Sequence, residues 1–207
     1  TIIGIDLNPE AKKLEKDGFK IIIGDQSKAI FWKNFYKKNG KIDVLIDDGG
    51  HTNMQQITTF VESLDFINDG GIIIIEDTHT SFMKKKGFNN PSKYSLVNFS
   101  SSIIENLHRR NPNIKKKMNI FSKKIYSIEY FDSIISFKVD KDKCKKTKNL
   151  ENNSRLRNYF SDYRFKKDAS QNSKMSIFQN KFFSKRSILY KIYERFLINK
   201  YYKIVKK

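Results

Sequence analysis

The feature that most constrains this chain is a set of short aliphatic runs that each close on acidic residues. Ile2 to Ile5 ends in Asp6, Phe19 to Ile23 in Gly24-Asp25, Val44 to Ile46 in Asp47-Asp48, and Ile72 to Ile75 in Glu76-Asp77. Runs this short and this apolar read as strands buried on both faces. Between them lie segments of helical character: Glu10 to Asp17 stopped by Gly18, and Lys28 to Lys38, with Ile30, Phe31 and Phe35 at helical spacing and Gly40 placed to end it. A third, Met54 to Ile67, puts Met54, Ile57, Val61 and Leu64 on one face and closes at Asp69-Gly70-Gly71. Strands alternating with helices predict an α/β fold built on a parallel sheet with both faces covered. Further on, Leu96 to Arg109 reads as a helix. Ile125 to Tyr130 and Ser133 to Val139 then flank Phe131-Asp132 as an antiparallel hairpin, expected on the edge of the parallel sheet.

The net charge of +19 suggests a polyanionic partner until it is divided along the chain. Residues 1–140 hold 21 Lys/Arg against 17 Asp/Glu, a net +4, whereas residues 141–207 hold 20 against 5, a net +15. The basicity belongs to the tail. The expected organisation is therefore an α/β domain over 1–140, a basic and disordered linker over 141–180, and a basic amphipathic helix over 181–207. That helix carries Ile188, Leu189, Ile192, Phe196, Leu197 and Tyr201 as its apolar stripe. A single cysteine, Cys144, excludes an internal disulfide framework and any Cys-rich metal site. No apolar run is long enough to span a bilayer, and the expected location is cytoplasmic. The chain opens at Thr1 directly into an apolar strand, which predicts that residues precede it.

In sheets of this kind ligands bind outside the carboxyl ends of the strands, where the acids stand. Asp6 suits a ribose, because a strand-end acid accepts both sugar hydroxyls, and suits equally a turn before Asn8-Pro9. Asp25 with Gln26 could read an adenine edge or simply form a turn. Asp48, Glu76 and Asp77 make a sharper cluster. Hard oxygen donors from two strand ends fit Mg²⁺, which keeps positions open for water or substrate. His51, three residues after Asp48, adds a group suited to general-base work near neutrality. Gly49 and Gly50 permit a tight turn and close backbone approach, and His79 reads as a loop or substrate-contact residue.

The order of these segments resembles a class I S-adenosylmethionine-dependent methyltransferase entered at its second strand. Ile3-Gly4-Ile5-Asp6-Leu7-Asn8-Pro9 resembles the ribose-binding motif of that family, and Gly24-Asp25-Gln26 its adenine-binding motif. More closely, Val44 to His51 and Ile75 to Ser81 resemble the metal-dependent sugar O-methyltransferases of macrolide biosynthesis, in which an Asp-Asp-Gly-Ser-His loop and a later Glu-Asp pair surround magnesium. The resemblance implies a Rossmann-like sheet, S-adenosylmethionine and Mg²⁺ as cofactors, and Asp48, Glu76 and Asp77 as metal ligands. It also implies His51 as catalytic base and Asp6, Asp25, Gln26 and Asp47 on the cofactor side. Gly50 stands where the relatives commonly have Ser. The resemblance covers residues 1 to about 140 and lacks the family's first strand with its glycine-rich loop. Without them, this chain alone is expected to be inactive.

The expected reaction is methyl transfer to a sugar hydroxyl of a glycoside, nucleotide sugar or polysaccharide. Two other readings compete. One is a nucleic-acid methyltransferase that grips phosphates with the tail; the modest +4 of the domain and the carboxylate cluster disfavour it. The other is a non-catalytic module whose basic C-terminal helix docks on an anionic membrane or a partner. A homo-oligomer is compatible with any of them. A dinucleotide-dependent dehydrogenase has no use for the Asp-Asp-Gly-Gly-His loop.

Overall fold

The computed structural model describes residues 1–83, 94–148 and 192. The chain divides into two compact units, Thr1–Leu150 and Glu151–Lys207. The expected linker over 141–180 and helix over 181–207 lie outside the described residues except for 141–148 and 192. Among the described residues no helix is long and apolar enough to cross a membrane.

The described residues form six strands: β1 (Ile3–Asp6), β2 (Lys20–Ile23), β3 (Ile42–Asp47), β4 (Ile67–Ile75), β5 (Ile125–Phe131) and β6 (Ile134–Val139). β1 and β2 pair in parallel. The other four form a sheet in the order β3-β4-β6-β5, with β3 and β4 parallel and β6 antiparallel to both β4 and β5. This is the expected Rossmann-like sheet, with the hairpin on its edge. β1 and β3 are not hydrogen-bonded neighbours. A cleft of about 1140 Å³ lies beside both, lined by Ile3, Ile5, Trp32, Leu45, Asp47 and Gly49 among others.

Local chemistry explains the element ends. Asn8 accepts from the Glu10 N–H and Pro9 opens a 3₁₀ segment, Pro9–Asp17, that Gly18 closes at φ 86°. Among the described residues of the first unit four α-helices follow: α1 (Ala29–Asn39), α2 (Asn53–Ser63), α3 (Leu96–His108) and the short α4 (Ile120–Lys124). Gly40, at φ 74°, ends α1 as expected.

The buried faces differ from the sequence expectation at two helices. α1 buries Trp32, Phe35 and Tyr36, while Ile30 is 64% exposed. α2 buries Gln56, Thr59, Phe60 and Ser63 and leaves Met54 and Val61 exposed. The reason at α2 is aromatic packing. Phe60 lies 4.3 Å from the ring of Phe137 on β6 and 5.8 Å from that of Phe99 on α3, and this cluster rotates the helix away from its most aliphatic stripe. The chain also leaves α2 earlier than expected, through a 3₁₀ turn at Leu64–Phe66, so that Ile67 already belongs to β4. The core centres on Phe60, Leu64, Ile67, Ile73, Ile75, Phe137 and Val139, all at most 2% exposed.

Candidate metal and catalytic site

β3 and β4 are parallel neighbours, with Asp47 opposite Ile75, so the two acidic motifs meet at one end of the sheet. The Glu76 N–H donates to the Asp47 carbonyl at 2.9 Å and continues the ladder one step into the loops. Beyond it, both chains turn sharply through a non-glycine residue in left-handed backbone: His51 at φ 56° and Asp77 at φ 52°. Such geometry costs about 1–3 kcal/mol for a residue with a Cβ and concentrates at functional sites. Gly49 and Gly50 are not among the positive-φ glycines. They supply room instead. A Cβ on Gly49 would come within 1.9 Å of Gln26 Oε1, and one on Gly50 within 2.1 Å of Gln55 Nε2.

These turns bring Asp48, His51 and Asp77 together, with one donor atom from each inside a common 4.8 Å. His51 Nε2 lies 3.4 Å from Asp77 Oδ2 and 4.0 Å from Asp48 Oδ1. His79 approaches Asp77 from the other side, with its Nδ1 3.8 Å from Oδ1. Glu76 is not in the three-residue group; its backbone carbonyl accepts from Gln56 Nε2 at 2.9 Å. Two carboxylates and an imidazole, part exposed at the mouth of a sheet, suit a divalent cation with open positions.

The other expected site residues lie on the β1–β2 side or beneath the cluster. Asp6 Oδ1 accepts from the Asn8 N–H at 2.7 Å, and Asp25 Oδ1 from the Ser27 N–H at 2.8 Å, so each carboxylate also forms a local turn. The Ser27 hydrogen bonds hold the Asp25 carboxyl below the usual aspartate pKa. Gln26 is turned inward. Its Nε2 donates to Asp47 Oδ1 at 2.8 Å and Thr59 Oγ1 at 3.0 Å, and its Oε1 accepts from the Gly50 N–H at 2.9 Å. Asp47 is 5% exposed, and burial pushes its carboxyl pKa up against the opposing bonds from Gln26 and Gly49. Its Oδ2 is buried with no hydrogen-bond partner among the described residues, in a residue that lines the cleft.

Sequence reasoning missed two supports of this site. Thr52 and Gln55 form a reciprocal capping box that starts α2 directly after His51; the Thr-x-x-Gln spacing was legible as such a signature. Thr80, 3% exposed, donates from Oγ1 toward the carbonyls of both His51 and Asp77. No local pattern announces the first of those contacts, which spans 29 positions in sequence.

The strand order and the carboxylate–imidazole group at its carboxyl end define an α/β protein of the methyltransferase fold. Its curated homologues are sugar O-methyltransferases. It is 26% identical over 108 residues to the 8-demethyl-8-α-L-rhamnosyl tetracenomycin-C 2'-O-methyltransferase of Streptomyces olivaceus, a match covering 52% of this chain and 28% of the relative. It is 31% identical over 81 residues to the mycinamicin VI 2''-O-methyltransferase of Micromonospora griseorubida, covering 39% of this chain and 20% of that one. The chain thus spans about a quarter of the length of the curated relatives it matches. Among solved structures, the MycE methyltransferase of the mycinamycin pathway in complex with Mg, SAH and mycinamycin VI superposes with a TM-score of 0.64 at 18% identity, over 74% of this chain and 40% of that one. No family model matches the chain. The expected resemblance and fold class are borne out.

Proposed function

We propose that this chain carries the metal and acceptor side of an S-adenosylmethionine-dependent, Mg²⁺-assisted O-methyltransferase acting on a sugar hydroxyl. The observation that carries the reading is the convergence of Asp48, His51 and Asp77 at the end of a methyltransferase-type sheet, on two loops strained into left-handed turns. The homologues' activity and the MycE complex with Mg and SAH support it.

In this reading Asp48 and Asp77 would hold the cation, with Glu76, outside the group they form with His51, as the further carboxylate next in sequence. Bound magnesium would lower the pKa of an acceptor hydroxyl, as it does for water. His51 takes the hydroxyl proton, and the Asp77 carboxylate, 3.4 Å from its Nε2, favours the imidazolium that forms. S-adenosylmethionine would supply the methyl group, its carbon–sulfur bond breaking as the new oxygen–carbon bond forms and the thioether product leaving, and the protein's own contribution is chiefly positioning. Asp6 and Asp25, with the buried Asp47 beside the cleft, make up the donor side, and Gln26 supports Asp47 from within. The acceptor is a glycoside, nucleotide sugar or glycan.

Methyl transfer to a glycoside, assayed on the protein in its full length with and without EDTA, tests this. Chelation is expected to abolish turnover, and His51→Ala to lower kcat by at least about a hundredfold. Activity indifferent to both changes would overturn the metal-and-histidine mechanism.

A further inference from the structure

The two loops of the site each contain a residue in left-handed backbone, His51 and Asp77, and such turns persist only where the surroundings hold them. Separate anchors secure each loop. The Thr78 N–H donates to the Ser133 carbonyl at 3.0 Å and pins the Asp77 turn against the β5–β6 hairpin, while the capping box fixes the chain just after His51. Neither anchor sets the position of one turn relative to the other.

One side chain touches the backbone of both turning residues. Thr80 Oγ1 lies 2.8 Å from the His51 carbonyl oxygen and 2.8 Å from that of Asp77. A hydroxyl has one proton to give, so the two acceptors share it or exchange it, and both stay within its reach. Thr80 is 3% exposed, which leaves little room for water to take over either bond. The Asp77 contact closes a local turn that the Thr80 N–H also makes, at 3.1 Å. The His51 contact joins loops 29 residues apart.

We propose that Thr80 is a positioning residue, whose hydroxyl sets the separation of the His51 and Asp77 turns and so the 3.4 Å approach of His51 Nε2 to Asp77 Oδ2. It acts through those two residues and is assigned no contact with cation or acceptor. The inference rests on the metal-assisted reading above. It adds that, beside the Gln56–Glu76 bond and the β3–β4 ladder, one buried hydroxyl fixes how far apart the two turns stand.

The test is Mn²⁺ binding by the chain, followed by electron paramagnetic resonance with Mg²⁺ as competitor, in the wild type, Thr80→Val and Thr80→Ser. Thr80→Val keeps the shape and removes the bond; it is expected to weaken Mn²⁺ binding by about 10- to 100-fold, the usual effect of losing a group that orients metal ligands. Thr80→Ser keeps the hydroxyl and should bind within about threefold of the wild type, a rescue that a merely space-filling role would not produce. If Thr80→Val does not fold, Thr80→Ala against Thr80→Ser gives the same contrast. Equal Mn²⁺ affinity in the wild type and the hydroxyl-less variant, or a loss in Thr80→Ser as large as in that variant, overturns the role of Thr80 alone. Absence of competitive Mn²⁺ binding by the wild type overturns the metal-assisted reading and this inference with it.

Discussion

Replacing Gln26 by Ala removes three hydrogen bonds at once from a part-buried position. Two run from Nε2 to Asp47 Oδ1 and Thr59 Oγ1, and one runs from the Gly50 N–H to Oε1. A hydrogen bond to a charged acceptor contributes about 1.5–3 kcal/mol and a neutral one about 1 kcal/mol, part of which relaxation and entering water recover. The expected loss is about 3 kcal/mol. It should also depend on pH. Burial is the largest influence on the Asp47 carboxyl and raises its pKa, while Gln26 provides the first of the opposing bonds. Without Gln26 the folded-state pKa rises further, whereas the unfolded value stays near about 3.9. The variant therefore penalises the ionised carboxylate more. Its extra instability is fully present above the folded pKa and shrinks as the pH falls through that value toward the unfolded one. Urea denaturation followed by tryptophan fluorescence is well placed to measure this. Trp32 is the only tryptophan, is 3% exposed, and donates from Nε1 to the Gln26 carbonyl, which the substitution retains. A loss below about 1 kcal/mol, or one identical in mild acid and at neutrality, would refute the view that Gln26 holds Asp47 and the glycine loop.

Gly50→Ala pushes its new methyl into the Gln55 amide and should cost about 1 kcal/mol by breaking the capping box of α2. Gln55→Ala should cost a similar amount, and the double variant no more than either, because both remove one device; additive losses in a denaturation cycle would contradict this. Tyr36, 2% exposed, has its phenol pushed up to about 12 by burial, against a weaker opposing influence from the Ser63 hydroxyl. A raised folded-state pKa means stability that is complete below the unfolded value of about 10 and is lost as the pH climbs through the folded one. The wild type should thus lose about 2–3 kcal/mol more than Tyr36→Phe over that alkaline interval, measured by denaturation at each pH. Parallel alkaline profiles would exclude a buried neutral phenol.

The fold was legible because its signals are local. Short aliphatic runs closed by acids placed β1 to β4, Gly18 and Gly40 marked two element ends, and the alternation of strand and helix gave the parallel sheet with its antiparallel edge. What misled was aliphatic periodicity at α2, where Phe60 and its partners on α3 and β6 outweighed Met54 and Val61. One large aromatic surrounded by other rings buries more surface than either aliphatic and decides which way a helix faces. α4 was missed for lack of length, as five residues show no period.

At the site, the sequence by itself determined the donor types: which residues stand at the strand ends, two acidic motifs and a histidine, the groups that the proposed cation and proton transfer would need. The tertiary structure alone decided the geometry. It drew Asp48, His51 and Asp77 into one group, turned Gln26 inward to hold Asp47, and left Glu76 outside that group. It also put a buried threonine between two loops that lie far apart in the chain. Donor type is a property of each residue and survives in the string of letters. The directions in which donors point depend on left-handed turns at His51 and Asp77, and only contacts made across the folded sheet can hold those turns in place.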